Sequence, residues 1–105
     1  MPDKPLRIYS WNVNGIRAAT GKGLAKWLSG CRGEIVGLQE VRALPDQIPE
    51  EIKRLRRYHQ RWQPAERRGY SGVGLLSRRE PDHLDTSLGS SHFDVEGRLQ
   101  IARFC

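Results

Sequence analysis

The sequence predicts an α/β domain built around a mixed sheet. Three features carry that reading. Strand-length apolar runs alternate with helical periods, the order is strand, helix, strand, helix and then strands, and Gly, Asn or Pro punctuates the joins. With 105 residues there is room for one domain. Hydrophobic residues at 37% and charged residues at 29% fit a globular chain rather than a disordered one. At this length folding buries only about two-thirds of the chain surface, so modest stability is expected.

Leu6 to Val13 reads as the first strand, carrying Ile8, Tyr9, Trp11 and Val13 and stopping at the turn signal Asn14-Gly15. Leu24, Trp27, Leu28 and Cys31 then recur at helical spacing, and Arg32-Gly33 ends that helix. Ile35 to Leu38 is a short apolar run, as in a strand covered on both faces. Pro49 opens the next helix, since its missing N–H would be unpaired there anyway. Glu50 and Glu51 fall at that helix's positive end, and Lys53, Arg54, Arg56 and Arg57 toward its negative end. Helix electrostatics and a solvated face therefore account for this basic run better than a nucleic-acid patch does. Tyr58 to Trp62 reads as a third strand. Gly72 to Ser77 is a fourth, after the turn Arg68-Gly69-Tyr70-Ser71. Arg79 to Phe93 is polar and turn-rich and reads as loop; Leu99 to Phe104 begins another strand. The chain stops inside that strand, where a free domain usually ends in a polar tail, so a truncated chain or gene fragment is expected.

Eighteen Lys and Arg against twelve Asp and Glu leave a formal charge of +6. The pI is near 9.9. Such a balance suits a polyanionic partner, although solubility alone can also use it. The two cysteines, Cys31 and Cys105, lack metal-type spacing and make no disulfide framework. Reduced thiols in a cytosolic protein are expected. The N-terminal residues show no secretory signal, and no apolar stretch approaches the length of a membrane span.

Polar groups gather at the C-terminal ends of the first two strands: Asn12 and Asn14 on one, Gln39 and Glu40 on the other. Ligands of open α/β sheets bind at that edge. A carboxylate beside amide oxygens is also a set that magnesium favours. Taken alone the pattern stays open, because a Glu ending a strand is more often solvated than metal-bound, and Asn-Gly is often only a turn.

Four segments, in order, carry a family resemblance. Ser10-Trp11-Asn12-Val13-Asn14-Gly15-Ile16-Arg17-Ala18, Gly37-Leu38-Gln39-Glu40, Gly69-Tyr70-Ser71-Gly72-Val73-Gly74 and Glu96-Gly97-Arg98 resemble the motifs of the exonuclease III and apurinic-site endonuclease family, within the endonuclease/exonuclease/phosphatase superfamily. The resemblance runs through nearly the whole chain. It implies a four-layer, DNase I-like α/β sandwich, of which residues 1–105 would be the N-terminal half: one mixed sheet with its flanking helices. The implied reaction is magnesium-dependent hydrolysis of DNA phosphodiesters in base-excision repair, with manganese as a possible substitute. The implied partner is double-stranded DNA bearing abasic sites or 3′ ends. The parent enzyme would be a monomer, active in the cytoplasm, on the nucleoid in a bacterium.

Residue by residue, the resemblance makes Glu40 the principal metal carboxylate and Asn12 a hydrogen-bonding active-site residue. Asn14 stands where some relatives carry a metal-associated Asp, so it would touch the metal only through water. Arg17 and Lys22 match a first DNA-contacting loop. Arg42 replaces a common Lys and remains a cation for phosphate. Gly69 and Tyr70 match a loop that grips the DNA backbone, though a packed aromatic at a turn would look the same. Arg98 matches a backbone-contacting Arg, with Glu96 ordering its loop.

The family's second half would bring a catalytic Tyr, a Gly-Asp-x-Asn segment, and a late Asp and His. None of these is in the sequence. Ser90-Ser91-His92 resembles the terminal His motif only superficially; it precedes Glu96-Gly97-Arg98, so His92 reads as a loop residue. Two other readings stay beside the nuclease: a catalytically inactive fragment that binds DNA, and another phosphoesterase of the superfamily, such as an inositol-phosphate phosphatase or a sphingomyelinase.

Overall fold

The computed structural model describes residues 6–87 and 89–104. Strand β1 (Ile8–Asn12) leads through helices α1 (Ile16–Gly21) and α2 (Leu24–Gly30) to β2 (Ile35–Gln39). A 3-10 turn over Pro45–Gln47 and the single-turn helix α3 (Glu50–Lys53) precede β3 (His59–Gln63) and β4 (Val73–Ser77). Strand β5 (His83–Asp85), helix α4 (Ser91–Asp94) and strand β6 (Ile101–Arg103) complete the order.

The main sheet runs β1-β2-β4-β3, with β1 and β2 parallel and the other two pairings antiparallel. Because β4 runs against β2, its first residues lie beside the last residues of β1 and β2. Register fixes the two faces. Tyr9, Val36, Leu76 and Gln60 form one row, and Trp11, Leu38, Gly74 and Trp62 the next row on the same face. Val36, Leu38 and Leu76 are fully buried there, with Ile16, Leu24, Leu28 and Ile52 of the helices packed into the same core. Gly74 has a steric reason: a Cβ there would run into the Trp62 ring.

The opposite face carries Ile35, Val73 and Leu75, but also Ser10, Gln39, Arg61 and Gln63. It is more polar than a face of Val, Ile and Leu. The segment after α4 lies across it. Gly37, Gln39, Val73 and Leu75 line a shallow cavity with Arg98, Gln100 and Ala102, and Gln100 Nε2 donates to the Arg61 carbonyl at 3.0 Å.

Several sequence expectations need correction. α1 is not in the sequence reading, which starts its helix at Leu24; Gly23, at φ 102, breaks the path into two short helices. Arg17 therefore lies on a helix, not in a loop, and Lys22 caps that helix. The helix after Pro49 ends at Lys53, so Arg56 and Arg57 lie beyond it. Tertiary contacts override the charge pattern there: Tyr58 is buried with its hydroxyl donating to the Leu28 carbonyl at 2.9 Å, while Arg57 bonds the Ser29 carbonyl. The polar stretch from Arg79 to Phe93 holds β5 and α4, so His92 sits in a helical turn rather than a loop. Distant β6 pairs with β5, Leu84 facing Ala102, and no local pattern announces such a partner. Cys31 is a buried free thiol; Cys105 lies outside the described residues.

Candidate active site and nucleic-acid interface

The site stands on three loops that continue the sheet's hydrogen bonding past the strand ends. Val13 N–H donates to the Gln39 carbonyl (3.0 Å), Gly15 N–H to Glu40 (2.7 Å) and Ile16 N–H to Val41 (2.9 Å). On the other side Val41 N–H donates to Gly72 (3.0 Å) and Arg42 N–H to Ser71 (2.7 Å). Asn14, Glu40, Arg42 and Ser71 take φ of 49, 51, 55 and 51° in these loops. Left-handed backbone costs a non-glycine residue about 1–3 kcal/mol, and it persists only where surrounding bonds enforce it. Here they do, and the side chains of Glu40 and Arg42 are consequently re-aimed at the strand ends.

Asn12 Nδ2 donates to Glu40 Oε2 at 2.7 Å, and Arg42 Nη2 to Glu40 Oε1 at 2.8 Å. Asn12 Oδ1 is already taken by the Asn14 N–H at 3.0 Å, so Asn12 is built to hold Glu40. The Asn12 hydrogen bond, helped by the charges of Arg42 and Arg98, holds the Glu40 carboxyl below the usual range. Arg17 Nη2 donates to the Arg42 carbonyl at 3.1 Å, tying α1 to the same loop.

A second cluster stands beside it. Arg98 Nη2 donates to Tyr70 Oη at 2.7 Å, and Tyr70 Oη donates to Glu96 Oε1 at 2.9 Å. Arg98 Nε reaches the same carboxylate oxygen at 3.3 Å. The hydrogen bonds from Tyr70 and Arg98 keep the Glu96 carboxyl below its ordinary value. Tyr70 is thus a polar hub as well as a half-buried aromatic, and Glu96 does order Arg98. Arg67, which sequence reasoning missed, lies over the Tyr70 ring at 5.3 Å, with Arg98 at 5.4 Å. Gly69, at φ 68, turns the chain into this cluster.

Gly97 is the hinge pin of the Glu96-Gly97-Arg98 segment. Its φ is 61°, and a Cβ would run into the backbone of Pro64 and Ala65. Gly97→Ala is expected to destabilise that packing by about 1 kcal/mol or more. Trypsin should then cut after Arg98 several-fold faster; an unchanged rate would mean the loop absorbs the methyl group.

The sequence-derived residues therefore fall into one constellation at one end of the sheet: Asn12, Glu40 and Arg42 at its centre, Tyr70 and Arg98 on one flank. Asn14 and Lys22 lie on the other flank, where they line an open groove of about 1020 Å³ along β1. Tyr9, Trp11 and Trp27 line it too, and its charged side chains, Arg7, Lys22, Lys26 and Arg32, are all basic. Glu40 is outside this groove; hydrogen bonding and charge, not cavity size, mark the candidate chemistry. Among the described residues no group of three or more His, Cys, Asp and Glu converges.

The sequence profile of the Endonuclease/Exonuclease/phosphatase family matches residues 9–105, and the chain belongs to that family. Its mixed sheet with flanking helices is that family's architecture. The chain is 38% identical over 101 residues to Recombination repair protein 1 of Drosophila melanogaster, covering 94% of this chain and 14% of the relative. It is 35% identical to the DNA repair nuclease APEX1 of Danio rerio, covering 94% and 33%. An AP endonuclease structure from Archaeoglobus fulgidus superposes with a TM-score of 0.79 at 28% identity, covering 93% of this chain and 37% of that one. The chain thus spans a third or less of the length of those two curated relatives.

Proposed function

We propose that this chain supplies one half of a metal-dependent active site that hydrolyses DNA phosphodiesters. The observation that supports it most is Glu40: an ionised, accessible carboxylate fixed between Asn12 and Arg42 at the C-terminal ends of two parallel strands. One protein carboxylate without a surrounding cage suits a cation that keeps several waters and takes substrate phosphate, as magnesium does; manganese is the natural substitute. Glu40 would hold it directly, and Asn14 only through water. A bound divalent cation would polarise the phosphate and steady the leaving oxygen. Asn12 orients Glu40, while Arg17, Lys22, Arg42, Gly69, Tyr70 and Arg98 position the DNA backbone. Duplex DNA with abasic sites or 3′ ends is the proposed substrate, by analogy with the repair nucleases it is similar to. The deciding experiment is incision of an abasic duplex with magnesium, run beside a binding assay. Cleavage that ignores magnesium, or no affinity for the duplex, would overturn this reading.

A second reading, a non-catalytic DNA-binding chain, is favoured by the isolation of Glu40 from any larger acidic or His group among the described residues. The same pair of assays separates the two when run on a longer chain that completes the site: magnesium-dependent incision supports the first reading, and binding without incision the second.

Arg17 and Lys22, on and at the end of the six-residue helix α1, and Arg98 are proposed to meet the DNA through phosphates rather than bases. Neutralising each is expected to weaken binding equally across DNA sequences and to lower the salt slope by roughly one. A loss that depends on base sequence would count against phosphate contact.

A further inference from the structure

Glu40 carries two donors that differ in kind. Asn12 brings a neutral amide to Oε2; Arg42 brings a full positive charge to Oε1. A carboxylate offers about four lone-pair sites, so Asn12 leaves room for a cation. Arg42 does not, because a guanidinium 2.8 Å from Oε1 repels any divalent ion on that oxygen. The pair is also open to solvent, with side-chain exposures of 46% for Arg42 and 37% for Glu40, and ion pairs so exposed are weak.

The root of Arg42 is fixed. Its N–H is bonded to Ser71 and its carbonyl to Arg17, with the backbone held at φ 55°. Its side chain can therefore swing while its backbone stays in place. A guanidinium freed there keeps a planar fork suited to phosphate oxygens.

We propose that Arg42 is a displaceable cap on Glu40. It competes with a divalent cation for Oε1, and once displaced it is presented to the phosphate that enters with the cation. This rests on the metal reading of Glu40. Its consequence is an ordered site: the free phosphate-binding charge exists only beside bound metal.

Manganese is the probe, with free Mn2+ counted by electron paramagnetic resonance, a readout that works whatever the association state of the protein. Arg42→Met is expected to bind Mn2+ about two- to fivefold more tightly than the parent chain, as loss of a weak competing ion pair implies. Misfolding cannot imitate that gain. Equal or weaker binding by Arg42→Met overturns the cap. Glu40→Gln is the control: parent-like Mn2+ binding by it overturns the metal reading, and the cap with it. In duplex binding, the affinity gained on adding Mn2+ should shrink several-fold in Arg42→Met; an undiminished gain overturns the handover to phosphate.

Discussion

With the second half of the fold supplied, Glu40→Gln is expected to lower metal-dependent turnover by orders of magnitude while leaving the fold intact. The two effects separate because of where Glu40 stands. Gln has the same shape, and the partners left behind, Asn12 and Arg42, are exposed and can turn to water. Losing an exposed ion pair costs at most about 1 kcal/mol. Losing the metal carboxylate removes transition-state charge stabilisation worth several kcal/mol, and each 1.36 kcal/mol is about tenfold in rate. The lowered proton affinity of Glu40 adds a pH signature. Protons compete with the cation for this carboxylate, so the acid limb of metal binding should fall below the ordinary Glu pKa of about 4.3 and be absent near neutrality. Near-normal activity of Glu40→Gln at low magnesium would sink the assignment. So would an acid limb near pH 6.

The grouping of the candidate residues is more legible in the sequence than the local structure around them. Asn12, Glu40, Tyr70 and Arg98 are marked by motifs whose residue types suit their contacts: a carboxylate, an amide to hold it, a hydroxyl between Glu96 and Arg98. The strands are legible because β2 and β4 contain apolar runs and β1 carries Ile8, Tyr9 and Trp11 before a turn signal. What stayed hidden was set by distant partners. β5 exists because β6 pairs with it from beyond the intervening residues 86–100, and α3 stops because Tyr58 is drawn into the core. The left-handed backbones of Glu40 and Arg42 are enforced by bonds to Gly15, Ser71 and Gly72, and neither residue type advertises such a conformation. At Asn14 and Gly15, with φ of 49 and 97°, the residue types do advertise it, and the turn is legible there.

The 105-residue chain alone is expected neither to cut DNA nor to persist as a stable monomer. Catalysis needs a group to take the proton of the attacking water, a contribution of about 10²–10⁴-fold. The chain holds no Gly-Asp-x-Asn segment, and among the described residues no cluster of His, Cys, Asp and Glu gathers with Glu40. The folding argument is separate. Among the described residues β1 is an outer strand of the sheet, paired only with β2. Beside its open edge Leu6, Ile8, Trp11 and Trp27 remain 57%, 61%, 38% and 42% exposed. The second sheet face is partly polar, so this edge rather than that face is the stronger site of association. Open edges with apolar side chains and no proline recruit other chains. Several hundred Å² of apolar surface, at about 25 cal/mol per Å², is comparable with a whole net stability of roughly 5–15 kcal/mol. Sedimentation should therefore show dimers or larger species, and heating should give a broad transition. Replacing Ile8 and Trp11 by Lys and Thr should reduce the association. A monomer with a sharp cooperative transition would refute the folding half, and magnesium-dependent incision by that monomer would refute the catalytic half.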